Sequence, residues 1–202
     1  MHNIVQGQQK IKKIAVTYQE AQVALYEKLN EEFKADLPKW QAVIDKETLS
    51  IQFFEPEILF QPGKSEVTAK FKEILDDFFP RYLKIIFSDD FKDNIAEVRI
   101  EGHTSSEWST KVNSQDEAYF NNMQLSQERT RSVLLYCYSI IHRKIYKDLM
   151  KQYVTANGLS SSKIVYYEDG TENKVYSRRV EFRTRTNAEN KIVQILDELN
   201  ND

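Results

Sequence analysis

Twenty-eight Lys and Arg against 31 Asp and Glu leave this 202-residue chain with a net charge of −3, which excludes nucleic acid as the main partner because a phosphate backbone rewards a basic face. With 41% hydrophobic and 29% charged residues, five glycines and four prolines, the chain is globular rather than disordered, sized for one domain plus an accessory element. Its single cysteine, Cys137, excludes an intramolecular disulfide, and neither an apolar run long enough to span a bilayer nor a secretory leader is visible.

From about Gln8 to Leu37, the residues Ile11, Ile14, Tyr18, Ala21, Leu25, Leu29 and Phe33 recur at spacings of three and four, predicting one long amphipathic helix. Pro38 should end or kink it, while Trp40, Val43 and Ile44 prolong the apolar stripe. Residues 1–46 are therefore read as a linker or dimerisation helix, and 47–202 as the main domain. Thr48 to Phe54 alternates as a half-buried strand with Leu49, Ile51 and Phe53 on one face. A loop from Glu55 to Lys64 follows. Ser65 or Thr68 then caps a helix carrying Val67, Phe71, Ile74, Leu75 and Phe78; beyond Pro80 the apolar run Tyr82–Phe87 has no fixed state.

The most informative stretch comes next. Ile95 to Glu101 alternates Val98 and Ile100 against Glu97, Arg99 and Glu101, then enters Gly102-His103-Thr104-Ser105. A polar loop, Ser106 to Asn121, leads to Asn122 and Leu125-Ser126, read as the opening of a helix with Arg129 in its first turn and Val133, Leu134, Cys137, Ile140 and Ile141 facing inward. Such a strand–loop–helix unit presents unpaired N–H groups and a helix dipole to an anion. A further helix with Ile145, Leu149 and Tyr153 should stop at Asn157-Gly158. Ile164 to Tyr167 is a short strand, Asp169-Gly170 a turn, and Arg178 to Arg185 a strand with Val180, Phe182 and Thr184 inward and its other face wet. Ile192, Ile195, Leu196 and Leu199 close the chain as a helix. Strands alternating with helices predict an α+β two-layer sandwich, a mixed sheet with helices on one face.

The chemistry-bearing residues point away from catalysis. Three histidines and one cysteine show no zinc spacing, and the run from His103 to Ser106 lacks a nucleophile elbow. We expect no enzyme activity, no metal and no cofactor, with the His103 ring hydrogen-bonded locally to shape its loop.

Taken together, Gly102-His103-Thr104, Asn122, Leu125-Ser126, Arg129 and Arg178-Arg179-Val180-Glu181-Phe182 resemble the C-terminal peptidoglycan-binding domain of the OmpA/MotB family, over about Leu49 to Thr186 and including Leu59-Phe60-Gln61-Pro62-Gly63. The resemblance implies an OmpA-like β-α-β-α-β fold. It also implies a site at Thr104, Ser105, Asn122, Leu125, Arg129 and Arg179, in which Arg129 binds the carboxylate of a diaminopimelate-type residue in the peptidoglycan stem peptide. The long helix and missing barrel place the chain nearest to stator B subunits, MotB-like or ZorB-like, the latter from Zorya anti-phage systems. This implies a homodimer, a membrane-embedded partner subunit and a periplasmic location, with the anchor carried upstream of Met1. The alternative is the same fold reused as a protein-interaction domain. Two departures stand out. The family's Asp after Gly-His-Thr is Ser105 here, and the following loop is longer, with Glu107, Asp116 and Glu117 as substitute carboxylates and Trp108, Tyr119 and Phe120 as ligand-packing rings.

Overall fold

The computed structural model describes residues 2–54, 56–109 and 114–187, together with 193, 196 and 197; the expected closing helix at Ile192, Ile195 and Leu199 lies outside the described residues. Helix α1 (His2–Phe33) buries Leu25, Leu29 and Phe33, one turn apart, in the core. It ends four residues before the predicted limit. Pro38 lies in the first turn of a separate short helix, α2 (Leu37–Trp40), where its missing N–H costs nothing. Gln41, left-handed at φ 50°, closes α2 and turns the chain into β1 (Ala42–Asp45). The stripe expected to run on as helix is thus divided: Trp40 joins the aromatic core, whereas Val43 and Ile44 sit in a strand paired with β2 (Ser50–Phe53).

After α3 (Pro56–Leu59), Thr68 caps α4 (Ala69–Ile86), its hydroxyl accepting from the Phe71 N–H at 3.1 Å. The helix runs straight through Pro80, so the undecided segment after it is helical as far as Ile86. A mid-helix proline costs about 3 kcal/mol. Phe78, Phe79, Tyr82, Leu83 and Ile86, all buried on either side of it, offset that cost.

The sheet is completed by β3 (Ile95–His103), β4 (Val154–Gly158) and β5 (Arg179–Thr186), in the order β1-β2-β5-β3-β4. Among the described residues only the β3–β4 pair is parallel. Strand β4 occupies the place where a helix stop was expected: α6 (Lys144–Tyr153) ends earlier, and Asn157-Gly158 extends beside Glu101-Gly102. The strand predicted at Ile164–Tyr167 reduces to a single bridge from Tyr166 to Glu172. Ser177 captures the Val165 backbone N–H through its hydroxyl at 2.9 Å, folding the segment onto α7 (Lys174–Ser177) instead of extending it. Asp169-Gly170 does turn, with Gly170 at φ 83°.

Val98, Ile100, Val180 and Phe182 face the core, where Phe33, Trp40, Phe53, Phe71, Phe78 and Tyr82 pack ring against ring at 5.0–6.3 Å. The opposite face carries Glu97, Arg99, Glu101 and His103 on β3 beside Arg179, Glu181, Arg183 and Arg185 on β5. It is not wet throughout. Glu101, His103, Arg179 and Glu181 are buried, because Arg179 reaches the carbonyls of Lys163, Tyr176 and Ser177 in the segment that covers this end.

Candidate functional site

Helix α5 (Gln115–Ile140) carries Asn122, Leu125 and Arg129, and it begins seven residues before Asn122 and eleven before Ser126, where its opening was expected. Ser114 is its N-cap, accepting from the Glu117 N–H at 3.1 Å, with Asp116 and Glu117 favouring the positive end of the helix dipole. Arg129 is consequently deep inside the helix. The free N–H groups at the start of α5 therefore lie at residues 114–117, and not beside Leu125-Ser126 as expected. The first turns of the helix read as loop because its buried face starts Ala118, Asn122, Ser126, Thr130 before turning apolar at Val133 and Cys137, so hydrophobic periodicity is weak over its first half.

That small, polar face lets the helix lie close on the sheet. A side chain on Gly102 would come within 2.7 Å of Thr130, and one on Gly158 within 2.3 Å of the Gln127 backbone nitrogen. Ser126 accepts from the Ser160 N–H at 3.1 Å, and the Ser160 hydroxyl donates to the Tyr119 carbonyl at 2.6 Å. Asn122, buried, donates to the carbonyls of Ser105 (3.3 Å) and Glu107 (2.9 Å), fixing the loop after β3. From the other side Glu172 accepts from the N–H and hydroxyl of Ser106.

These contacts frame a cleft of about 370 Å³ lined by Phe60, Pro62, Gly63, Thr104, Ser105, Glu107, Trp108, Asn122, Leu125, Arg129 and Arg178. Five of the six residues singled out in the sequence, Thr104, Ser105, Asn122, Leu125 and Arg129, meet there. Arg179 instead lines a smaller space behind the cleft, together with Phe60, Arg129 and Arg178. Its guanidinium pairs with the buried Glu181 at 2.6 Å. Arg178, one residue earlier and outside the strand register, faces the cleft in its place. The doubled arginine was the only signal for it.

Arg129 lies with its guanidinium 4.7 Å from the Phe60 ring centre and donates to the carbonyls of Lys64 (2.8 Å) and Gln61 (3.3 Å). Arg178 donates to the Lys174 carbonyl at 3.0 Å. Neither has a carboxylate partner among the described residues. Burial, helped by the charge of Arg178, pulls the Arg129 guanidinium down to about 10, which leaves it cationic at neutral pH. Of the three substitute carboxylates, Glu107 alone lines the cleft, and Lys174 already pairs with it. Asp116 and Glu117 are exposed in the first turn of α5. Trp108 contributes to the wall, whereas Tyr119 and Phe120 pack edge-to-face on each other at 5.4 Å and do not line it. The Thr104 hydroxyl is buried without a hydrogen-bond partner among the described residues.

Behind the loop, His103 Nε2 lies 3.4 Å from a Glu181 carboxylate oxygen and 3.6 Å from a Glu101 one. Burial pushes the Glu101 carboxyl up, but His103, Arg183 and Arg99 outweigh it and hold it below the usual carboxylate range. Ligand atoms of Glu101, His103 and Glu181 lie within 4.8 Å of one another. Arg179 and Arg183 already supply positive charge to those carboxylates, so the row is an internal ion network.

No family model matches the chain. It is 47% identical over 198 residues to the Zorya protein ZorB of Escherichia coli, covering 98% of this chain and 83% of that one. The chain belongs to the ZorB family. Among solved structures, a MotB-like protein from Desulfovibrio vulgaris superposes with a TM-score of 0.58 at 20% identity, covering 85% of this ZorB-family chain and 98% of its own. The cell wall anchor of the type VI secretion system from Pseudomonas aeruginosa gives 0.51 at 17% identity, covering 78% and 96%. The fold is thus MotB-like, a five-stranded mixed sheet with helices, preceded by the long N-terminal helix. Among the described residues no helix is long and apolar enough to cross a membrane.

Proposed function

We propose that this chain is a non-enzymatic wall anchor: it binds the peptidoglycan stem peptide in the Arg129 cleft and ties a stator-like membrane complex to the cell wall from the periplasm. The observation that carries the reading is Arg129 itself, a half-buried cation held by backbone carbonyls and a phenylalanine face without a carboxylate partner among the described residues. A cation kept partly from water without a counter-ion is costly, and its fork matches a carboxylate bidentately. The ZorB relationship and the cell-wall-anchor fold support the same reading. Pull-down on purified sacculi tests it. The wild-type chain should pellet with them and Arg129→Ala should remain in solution; wild-type protein that stays in solution refutes wall binding and favours the same fold acting on a protein partner.

The N-terminal helix is proposed to link the domain to a membrane partner subunit and to self-associate. Its C-terminal half is occupied by its own core, whereas Val5 and Val16 lie exposed nearer its start. Light scattering should give a dimer for the whole chain; a monomer refutes self-association.

A further inference from the structure

We propose that the cleft selects a diaminopimelate whose side-chain amine is acylated, as in a cross-linked stem peptide, with Arg129 and Arg178 together gripping the free carboxylate. The inference rests on the peptidoglycan reading above and specifies which form of the stem peptide that site prefers.

The charges on the cleft wall carry the argument. An uncross-linked diaminopimelate presents a zwitterionic end, a carboxylate beside an ammonium. Among the described residues the wall offers two guanidiniums, Arg129 and Arg178, and a single carboxylate, Glu107, already engaged by Lys174. Ser105, on the loop that would face the ammonium, is 4% exposed and uncharged. An ammonium entering this space would leave water for two like charges and a hydroxyl, a poor exchange.

Cross-linking removes the difficulty chemically. It converts the primary ammonium into a neutral secondary amide and leaves the neighbouring carboxylate free. That carboxylate then meets two cations, Arg129 and Arg178. Phe60, Pro62, Trp108 and Leu125 supply apolar surface for the methylene chain and the added acyl group. Arg178 thereby becomes a binding residue in its own right, with an Arg–carboxylate contact of the strong, charge-assisted kind.

Titration calorimetry with two probes tests the inference: the disaccharide tetrapeptide released from diaminopimelate-type walls, and the same molecule after acetylation of its one free amine. The wild-type chain should bind the acetylated probe about tenfold or more tightly than the free-amine probe, one charge-assisted contact's worth. Ser105→Asp should invert that order, and Arg178→Gln should weaken the acetylated probe by about tenfold while the melting temperature stays unchanged. Equal binding of the two probes, or tighter binding of the free amine, overturns the inference. Sacculi that pellet the wild type while neither probe binds overturn it alone, whereas failure to pellet with sacculi removes the peptidoglycan reading beneath it.

Discussion

Arg81 and Arg129 are near twins by local geometry and opposites by environment. Each lies over a phenylalanine ring, Arg81 at 4.9 Å from Phe33 and Arg129 at 4.7 Å from Phe60, and each donates to backbone carbonyl oxygen. Arg81, however, is met by Glu32 at 2.7 Å, Asp36 at 3.0 Å and Asp77 at 3.0 Å. Burial works against its charge, but the three carboxylates prevail and raise its pKa. At Arg129 burial and Arg178 act in the same downward direction. The same side chain can therefore serve as a satisfied clamp between α1 and α4 or as a cation presented to a ligand. What decides is whether the fold brings carboxylates to it.

The widest separation between the two should come from alanine substitution of each. Arg129→Ala is expected to lower sacculus binding by about a hundredfold or more, two charge-assisted contacts' worth, while shifting the melting temperature by no more than about 2 °C, since no carboxylate is orphaned. Arg81→Ala is expected to do the reverse. It leaves Glu32 and Asp36 facing each other, both partly buried, and should cost about 2–3 kcal/mol in denaturant unfolding with sacculus binding intact below the transition. A large stability loss at Arg129, or none at Arg81, breaks the contrast.

A smaller effect links the two regions. Gly158→Ala would set a methyl group 2.3 Å from the Gln127 backbone nitrogen, and because backbone cannot swing away, α5 must lift. We expect about 1–3 kcal/mol of destabilisation together with weaker sacculus binding, because Arg129 rides on the same helix. Thermal unfolding and pull-down on one preparation check whether both fall together.

The smallest effect concerns the buried ion row. Glu101 is held below its usual pKa of 4.5, so the folded state binds its proton less readily than the unfolded chain does. Its contribution is fully present above about pH 4.5 and is lost as pH falls through the lower folded value. Glu101→Gln should flatten the acid limb of the stability curve by about 1 kcal/mol or less and leave the neutral-pH sacculus pull-down as it is. An unchanged acid limb would remove Glu101 from the charge balance of this face.

The sequence was most legible where residue pattern and environment coincide. Alternation at Val98 and Ile100 located β3, and the spacing Leu125-Ser126-x-x-Arg129 located the cleft helix, though not its start. It failed where a tertiary neighbour supplied what the pattern lacked. Val154–Gly158 alternates only briefly, Val154 and Ala156 against Thr155 and Asn157, and became a strand because β3 offered a parallel edge. The polar first half of α5 reads as a loop until Gly102 and Gly158 are seen beneath it, making room for Ser126 and Thr130. The choice between Arg178 and Arg179 was equally hidden, since the chain leaves α7 and enters β5 between them.

By itself the sequence determined the fold class, a cap at Ser65 or Thr68 for α4 and a strand running into Gly102, because periodicity, caps and turn residues act over a few neighbouring positions, while the resemblance to the OmpA/MotB family supplied the set Thr104, Ser105, Asn122, Leu125 and Arg129. Only the tertiary structure decided that Arg129 has no counter-ion among the described residues, that Glu107 is engaged by Lys174, that Arg178 lines the cleft, and that Arg81 has the three carboxylates instead. Charge pairing depends on distance in space across segments far apart in the chain, and a local pattern carries no record of that distance.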